Sequence, residues 1–234
     1  MFMKLYFKFL VFVFIFSFCA LASANANKII ASYDVGVGKL NLGKMGWEVN
    51  MNQNDYKIIV SLRDGGLLSA FYSFEGDYVV VGKIENGFFF PKNYKQFWST
   101  KKKTRNIEIV FENDFVKKLY LFPEEEEFAR IDYFALKNFH DPLSSFLNII
   151  LKKNSSYTMD GRRVYTMKVD ETVKKNELVS KKILIEDFKN IWADHKRKGL
   201  EYIEIVQNDS GIELSLPLII KIKYKGILYT LKKN

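Results

Sequence analysis

The residues of this 234-residue chain whose types could do chemistry are two histidines, two adjacent arginines and a run of four glutamates. Histidine is the usual proton carrier near neutral pH. His140 sits immediately before Asp141-Pro142, where a helix approach is expected, and His195 lies in the charged run ADHKRKG. His140, Asp141 and Ser144 have the types of a hydrolytic triad, but Asp141 and Ser144 fall at the Ncap and N3 positions of a helix. There their side chains turn toward free backbone N–H groups. Glu124 to Glu127 are consecutive, and neighbouring carboxylates cannot converge on one ion from a regular strand or helix, so a solvated loop is the expectation. The chain has no G-x-S-x-G, H-E-x-x-H or G-x-x-x-x-G-K-[ST] motif, and VGVGKLNLG lacks the following helix that a dinucleotide site requires. These features point away from an enzyme, a metal site or a cofactor.

Arg162 and Arg163, just after the Asp160-Gly161 turn, are the best candidates for ligand binding. On a strand they face opposite sides, one toward solvent and the other toward a buried or concave face. An inward guanidinium needs either a ligand anion or a carboxylate of the protein. The competing reading is an arginine at a strand end, paired with a nearby Asp or Glu.

The elements that must position these groups are mostly strands. In LIIKIKYK, Leu218, Ile220, Ile222 and Tyr224 alternate with Ile219, Lys221, Lys223 and Lys225, and in RNIEIVF, Ile107, Ile109 and Phe111 oppose Asn106 and Glu108. YKIIVSL, DYVVVG, KKLYLF, KKILIEDF and YIEIVQ are further strands. Glu85-Asn86-Gly87, Glu112-Asn113-Asp114, Asp160-Gly161 and Asn208-Asp209-Ser210-Gly211 can each reverse an antiparallel pair. Around ten or more strands follow, mostly paired with sequence neighbours. One segment has helical period: Leu143, Phe146, Leu147, Ile150 and Leu151 after an Asp141 cap and a Pro142 start. The predicted fold is all-β, a single curved antiparallel sheet or a half-open or closed β-barrel. The amphipathic helix packs against it or plugs an end. An aromatic content of 16% suits a large apolar interior or a ligand cavity equally.

The chain begins with Lys4 and Lys8, an apolar run from Phe9 to Leu21, and two A-x-A sites at Ala22-Ser23-Ala24 and Ala24-Asn25-Ala26. This reads as a secretory signal peptide over residues 1–24, cleaved near Ala24 or Ala26, with one β-rich domain over 25–234. The apolar run is shorter than the roughly 20 residues of a bilayer span, so no stable membrane span is expected after cleavage. Cleavage removes Cys19, the only cysteine, leaving a mature chain without a disulfide, thiol nucleophile or thiolate metal site. It also removes Lys4 and Lys8 and no acidic residue, so the net charge falls from +9 to +7. That balance favours anionic neighbours such as lipid headgroups or acidic polysaccharide, while an exported chain is a poor partner for nucleic acid. Lysine as a mere compositional filler explains the same charge.

Several stretches resemble an exported bacterial family, domain of unknown function 3108. They are Gly43 and Tyr56, RDGGLLSAF (63–71), the hairpin GKIENGFFFPKNY (82–94), DPLSSFL (141–147), MDGRRVYTM (159–167) and IEIVQNDSGIELSLPLIIKIKYKGILYTL (203–231). The resemblance implies a periplasmic protein with a curved antiparallel β fold, similar to the half-open barrels of lipoprotein carriers, and no established activity. The family usually has a cysteine shortly before the D-G-R-R turn; here Ser155, Ser156 and Tyr157 occupy that stretch, which argues against a redox role.

Two functions fit these features. A non-enzymatic protein that binds a lipid-like or anionic envelope molecule predicts an open apolar cavity. A structural or interaction protein of the envelope predicts a filled core and works through an edge strand or basic face.

Overall fold

The computed structural model describes residues 27–65, 73–151, 153–192, 199–209, 211 and 213–234. The expected signal peptide, most of RDGGLLSAF, His195 and Ser210 lie outside them. Seven strands come first: β1 (Asn27–Val37), β2 (Leu40–Met51), β3 (Asp55–Asp64), β4 (Phe74–Glu85), β5 (Phe88–Thr100), β6 (Thr104–Glu112) and β7 (Phe115–Phe122). A short 3-10 turn at Tyr133–Ala135 and the helix α1 (Pro142–Ile150) follow. The remaining strands are β8 (Ser155–Met159), β9 (Arg163–Lys175), β10 (Leu178–Asn190), β11 (Leu200–Asn208), β12 (Ile219–Tyr224) and β13 (Ile227–Lys233).

All of these strands join one antiparallel sheet in the order β7-β6-β5-β4-β3-β2-β1-β13-β12-β11-β10-β9-β8. Every pair of neighbouring strands in the sheet is consecutive in sequence except β1–β13, where Tyr33 to Val37 pair with Lys233 to Tyr229. The first and last strands therefore meet in the middle of the sheet, and its two edges, β7 and β8, are consecutive in sequence. The sheet curls without closing directly between them.

Period-two alternation fixes what lies inside. Val49, Ile58, Val80, Tyr94, Ile109 and Leu119 are successive cross-strand partners over β2 to β7. All but Leu119 are buried. Across the other half, Val35, Leu231, Ile220, Ile205 and Lys181 form an equivalent row. The predicted turns reverse the chain: Asn86-Gly87 and Asn113-Asp114 take positive φ at both positions, which matches the twist of a tight hairpin. VGVGKLNLG is the β1–β2 hairpin rather than the approach to a helix.

The helix forms as the sequence predicts. Asp141 Oδ1 accepts from the N–H groups of Leu143 at 2.9 Å and Ser144 at 3.2 Å, and Pro142 occupies the first turn. Its polar back differs from expectation, because Ser144, Ser145 and Asn148 are as buried as the apolar stripe. Thus α1 fills the barrel interior and has no solvent face along these positions. The Phe146 ring lies 5.4 Å from that of Trp47 on β2, and Ser144 Oγ is 2.6 Å from the Tyr56 hydroxyl on β3. Toward the other half, Ser145 Oγ accepts from Ser156 and Thr158 on β8. Lys181 Nζ donates to the carbonyls of Ile149 at 2.7 Å and Ile150 at 3.2 Å, so a buried ammonium caps the negative end of the helix. No helix among the described residues is long and apolar enough to cross a membrane.

The segment after β7 joins the two sheet edges. Lys137 bridges to Phe115 on β7 and His140 to Thr158 on β8. Asn138 N donates to Asp114 O at 2.8 Å, His140 N to Tyr157 O at 2.9 Å, and Met159 N to His140 O at 2.9 Å. At the far end of the seam the Asp160-Gly161 turn packs on β6 and β7. Gly161 has φ +86°, and a Cβ there would stand 2.6 Å from Ile107 Cγ2. Only glycine fits both the dihedral and the approach.

Candidate cleft at the turn end of the barrel

A broad concavity lies where the β4–β5 and β6–β7 turns meet the seam segment. It encloses about 760 Å³. Phe90, Pro91, Val110, Phe111 and Phe139 supply its apolar lining, and Lys83, Lys92, Lys117 and Lys118 its cations. A register shift between Val81 and Gly82 opposite Pro91 turns this part of β5. A Cβ on Gly82 would lie 2.1 Å from the Phe90 carbonyl oxygen, so glycine permits the bulge; Pro91 has no N–H for a ladder to miss.

Of the four lysines, Lys117 pairs with Glu112 at 3.3 Å. Lys83, Lys92 and Lys118 have no ion pair among the described residues. Lys153 stands nearby with its Nζ 4.7 Å from the Phe88 ring centre and 5.2 Å from that of Phe90. Desolvation there lowers its pKa. Glu85, Glu112 and Asp114 line the cleft too, so the arrangement can hold an apolar body beside lysines that outnumber the lining carboxylates by one.

His140 is in the cleft wall, 6% exposed, its ring 5.5 Å from that of Phe90. Burial, followed by the Lys153 charge, pushes its pKa down to about 4, so the imidazole is neutral at neutral pH. Asp141 points away into the helix cap, fully buried, and burial raises its carboxyl to about 6. Ser144 meets Tyr56 instead of the backbone amides expected for it, and the three side chains do not assemble as a triad.

The arginine pair lies at the opposite end of the seam. Arg162 forms an ion pair with Glu125 and donates from Nη2 to the Pro123 carbonyl at 3.1 Å. Arg163 Nε is 3.3 Å from Asp160 Oδ2, while Asp160 Oδ1 accepts from the amides of Arg162 and Arg163. Both guanidiniums thus have protein carboxylates. Glu125 departs from the solvated-loop expectation for this reason, whereas Glu124, Glu126 and Glu127 are exposed. Among the described residues no three His, Cys, Asp or Glu side chains converge as a metal site would need.

The cleft residues carried no motif, since Lys83, Phe90, Lys118 and Phe139 are far apart in sequence. The usable signal was the register-breaking Gly82 and Pro91 within an otherwise regular hairpin.

A family model described as a protein of unknown function, DUF3108, matches residues 32–186, two thirds of the sequence. The chain belongs to the DUF3108 family. The family match runs from β1 into β10 and includes the cleft, the seam and α1, while the C-terminal likeness over 203–231 lies beyond it. Among solved structures, this DUF3108 protein is similar to a crystal structure of a beta-barrel-like protein of domain of unknown function DUF1849 from Brucella abortus. Identity is 12%, with 88% of this chain and 94% of that chain covered and a TM-score of 0.49. No curated protein matches it.

Proposed function

We propose that this DUF3108 member is a non-enzymatic binding protein of the cell envelope, exported to the periplasm, that takes an amphipathic, lipid-like molecule with an anionic head into the turn-end cleft. The carrying observation is the apolar lining of Phe90, Val110 and Phe139 beside Lys83, Lys92 and Lys118, which make no close ion pair among the described residues. Each methylene buried there would contribute about 0.8 kcal/mol, and the lysines would favour an anionic head. The concavity of the sheet itself holds α1, so the reading locates the ligand at the barrel's end rather than in its interior.

The test is mass spectrometry of an organic extract from the chain from Asn25 on, purified from a periplasm without detergent. A stoichiometric amphiphile supports the reading. An empty extract, with no uptake of added fatty acid or phospholipid, overturns it.

A second reading, an interaction protein of the envelope, has its own observation. Phe97, Tyr120 and Phe122 border an apolar groove of about 370 Å³ on the outer face of β4 to β7, and Tyr120 and Phe122 are exposed. Crosslinking in intact cells from position 120 would identify such a partner or show that the face is bare.

A further inference from the structure

Resting on the amphiphile reading above, we propose that the ligand carries two apolar chains and a phosphate head. One chain lies in the turn-end cleft, the other in a neighbouring concavity across the Gly82–Pro91 bulge, and the head sits over Lys92 between them.

The second concavity has about 340 Å³ and opens beside the β2–β3 turn. Met51, Tyr56 and Val81 are its apolar lining, with Tyr56 a buried floor and Val81 an exposed wall. Lys92 is common to both linings. The register shift between Val81 and Gly82 breaks the strand alternation here, so that Val81 and Gly82 line the second concavity and Lys83 the cleft. Gly82 and Pro91, cross-strand partners, form the divide between the two. No side chain can raise that divide at Gly82, because a Cβ there would stand 2.1 Å from the Phe90 carbonyl oxygen and 2.7 Å from Tyr56 Cε1.

The charges suit a head at the divide. Lys57 lines the second concavity, Lys83 the cleft and Lys92 both, and none of them makes a close ion pair among the described residues. Asp55 and Glu85 are the carboxylates on the same two turns, so three ammonium groups face two carboxylates. A phosphate has enough oxygens to meet ammonium groups from more than one side. A one-chain ligand would leave Met51 and Val81 in water, whereas a second chain removes that apolar surface from it.

The experiment compares dioctanoyl phosphatidate with octanoyl lysophosphatidate, each below its micellar concentration, by calorimetric titration of the chain from Asn25 on. The same titrations are run on the Val81→Asn and Met51→Gln variants, which are neutral and leave the field at the head unchanged. Expected is binding of the two-chain probe about tenfold tighter than the one-chain probe in the unsubstituted protein. Either substitution should remove most of that advantage and leave the one-chain probe unchanged. In the unsubstituted protein the methyl resonances of Met51 and Val81 should shift with the two-chain probe and not with the one-chain probe, a readout that survives if a variant fails to fold. Equal affinity for the two probes, equal losses for both in the variants, or unmoved Met51 and Val81 methyl resonances overturn the second chain site. No binding of either probe overturns the amphiphile reading itself.

Discussion

Asn148 and Phe89 bond to each other twice: the Phe89 N–H donates to Asn148 Oδ1 at 2.8 Å, and Asn148 Nδ2 donates to the Phe89 carbonyl at 2.9 Å. The β5–β6 ladder begins only at Asn93, so the helix side chain acts as the missing strand for Phe89. Asn148→Ala should leave both buried backbone groups unpaired and cost about 3 kcal/mol, read as a lower urea midpoint with an unchanged slope. Asn148→Asp should be no better, because a carboxylate cannot donate to the Phe89 carbonyl.

Asp141 and His140 should give opposite pH dependences in overlapping windows. The Asp141 carboxyl is raised from 3.8 to about 6 by burial, so its contribution is fully present below the unfolded pKa and is lost as pH rises toward 6. The His140 imidazole is lowered from 6.5 to about 4, so its contribution is present above 6.5 and is lost as pH falls toward 4. Each is worth about 3 kcal/mol across its window, and the sum is nearly flat. Asp141→Asn, which keeps a helix cap, should make stability rise between pH 4 and 6.5, while His140→Gln should make it fall. Chemical denaturation at several pH values checks both slopes, and parallel slopes in the two variants would refute the pairing.

The seam between β7 and β8 should open when its far latch is cut. Arg162→Ala removes the Glu125 ion pair and the Pro123 contact from a largely buried site, and should cost about 2 kcal/mol. Gly161→Ala should cost at least as much through φ and the Ile107 approach. In both variants amide exchange should rise first along β7 and β8, with β1 and β13 at the sheet centre protected longest. Uniform loss of protection would mean that the seam is no weaker than the rest.

Replacing Lys83, Lys92 and Lys118 together by serine should lower retention of an anionic amphiphile at least tenfold and flatten its salt dependence, with little change in thermal midpoint, because these lysines make no ion pair among the described residues. Competition with a fluorescent fatty acid at low and high salt measures it.

Lys181→Met should be costly despite similar volume, since it leaves the Ile149 and Ile150 carbonyls without their ammonium. A loss of about 2 kcal/mol in denaturant unfolding is expected; an unchanged midpoint would show that the helix end finds other donors.

By itself the sequence determined the strand class, most strand positions, several turns and the start of α1. Each depends on neighbours a few residues apart: Ile107, Ile109 and Phe111 alternate, Asn86-Gly87 reverses the chain, and Asp141 caps amides two and three residues on. Tertiary structure alone decided three things. The β1–β13 pairing joins residues some two hundred positions apart, for which alternation carries no register signal. The burial of Ser144, Asn148 and Lys181 depends on what faces them, so polar residues that look solvated in sequence instead satisfy Tyr56, Phe89 and the helix end. The cleft arises where Gly82, Pro91, Asn113 and His140 converge from four parts of the chain; only the curl of the sheet brings their backbones to one end.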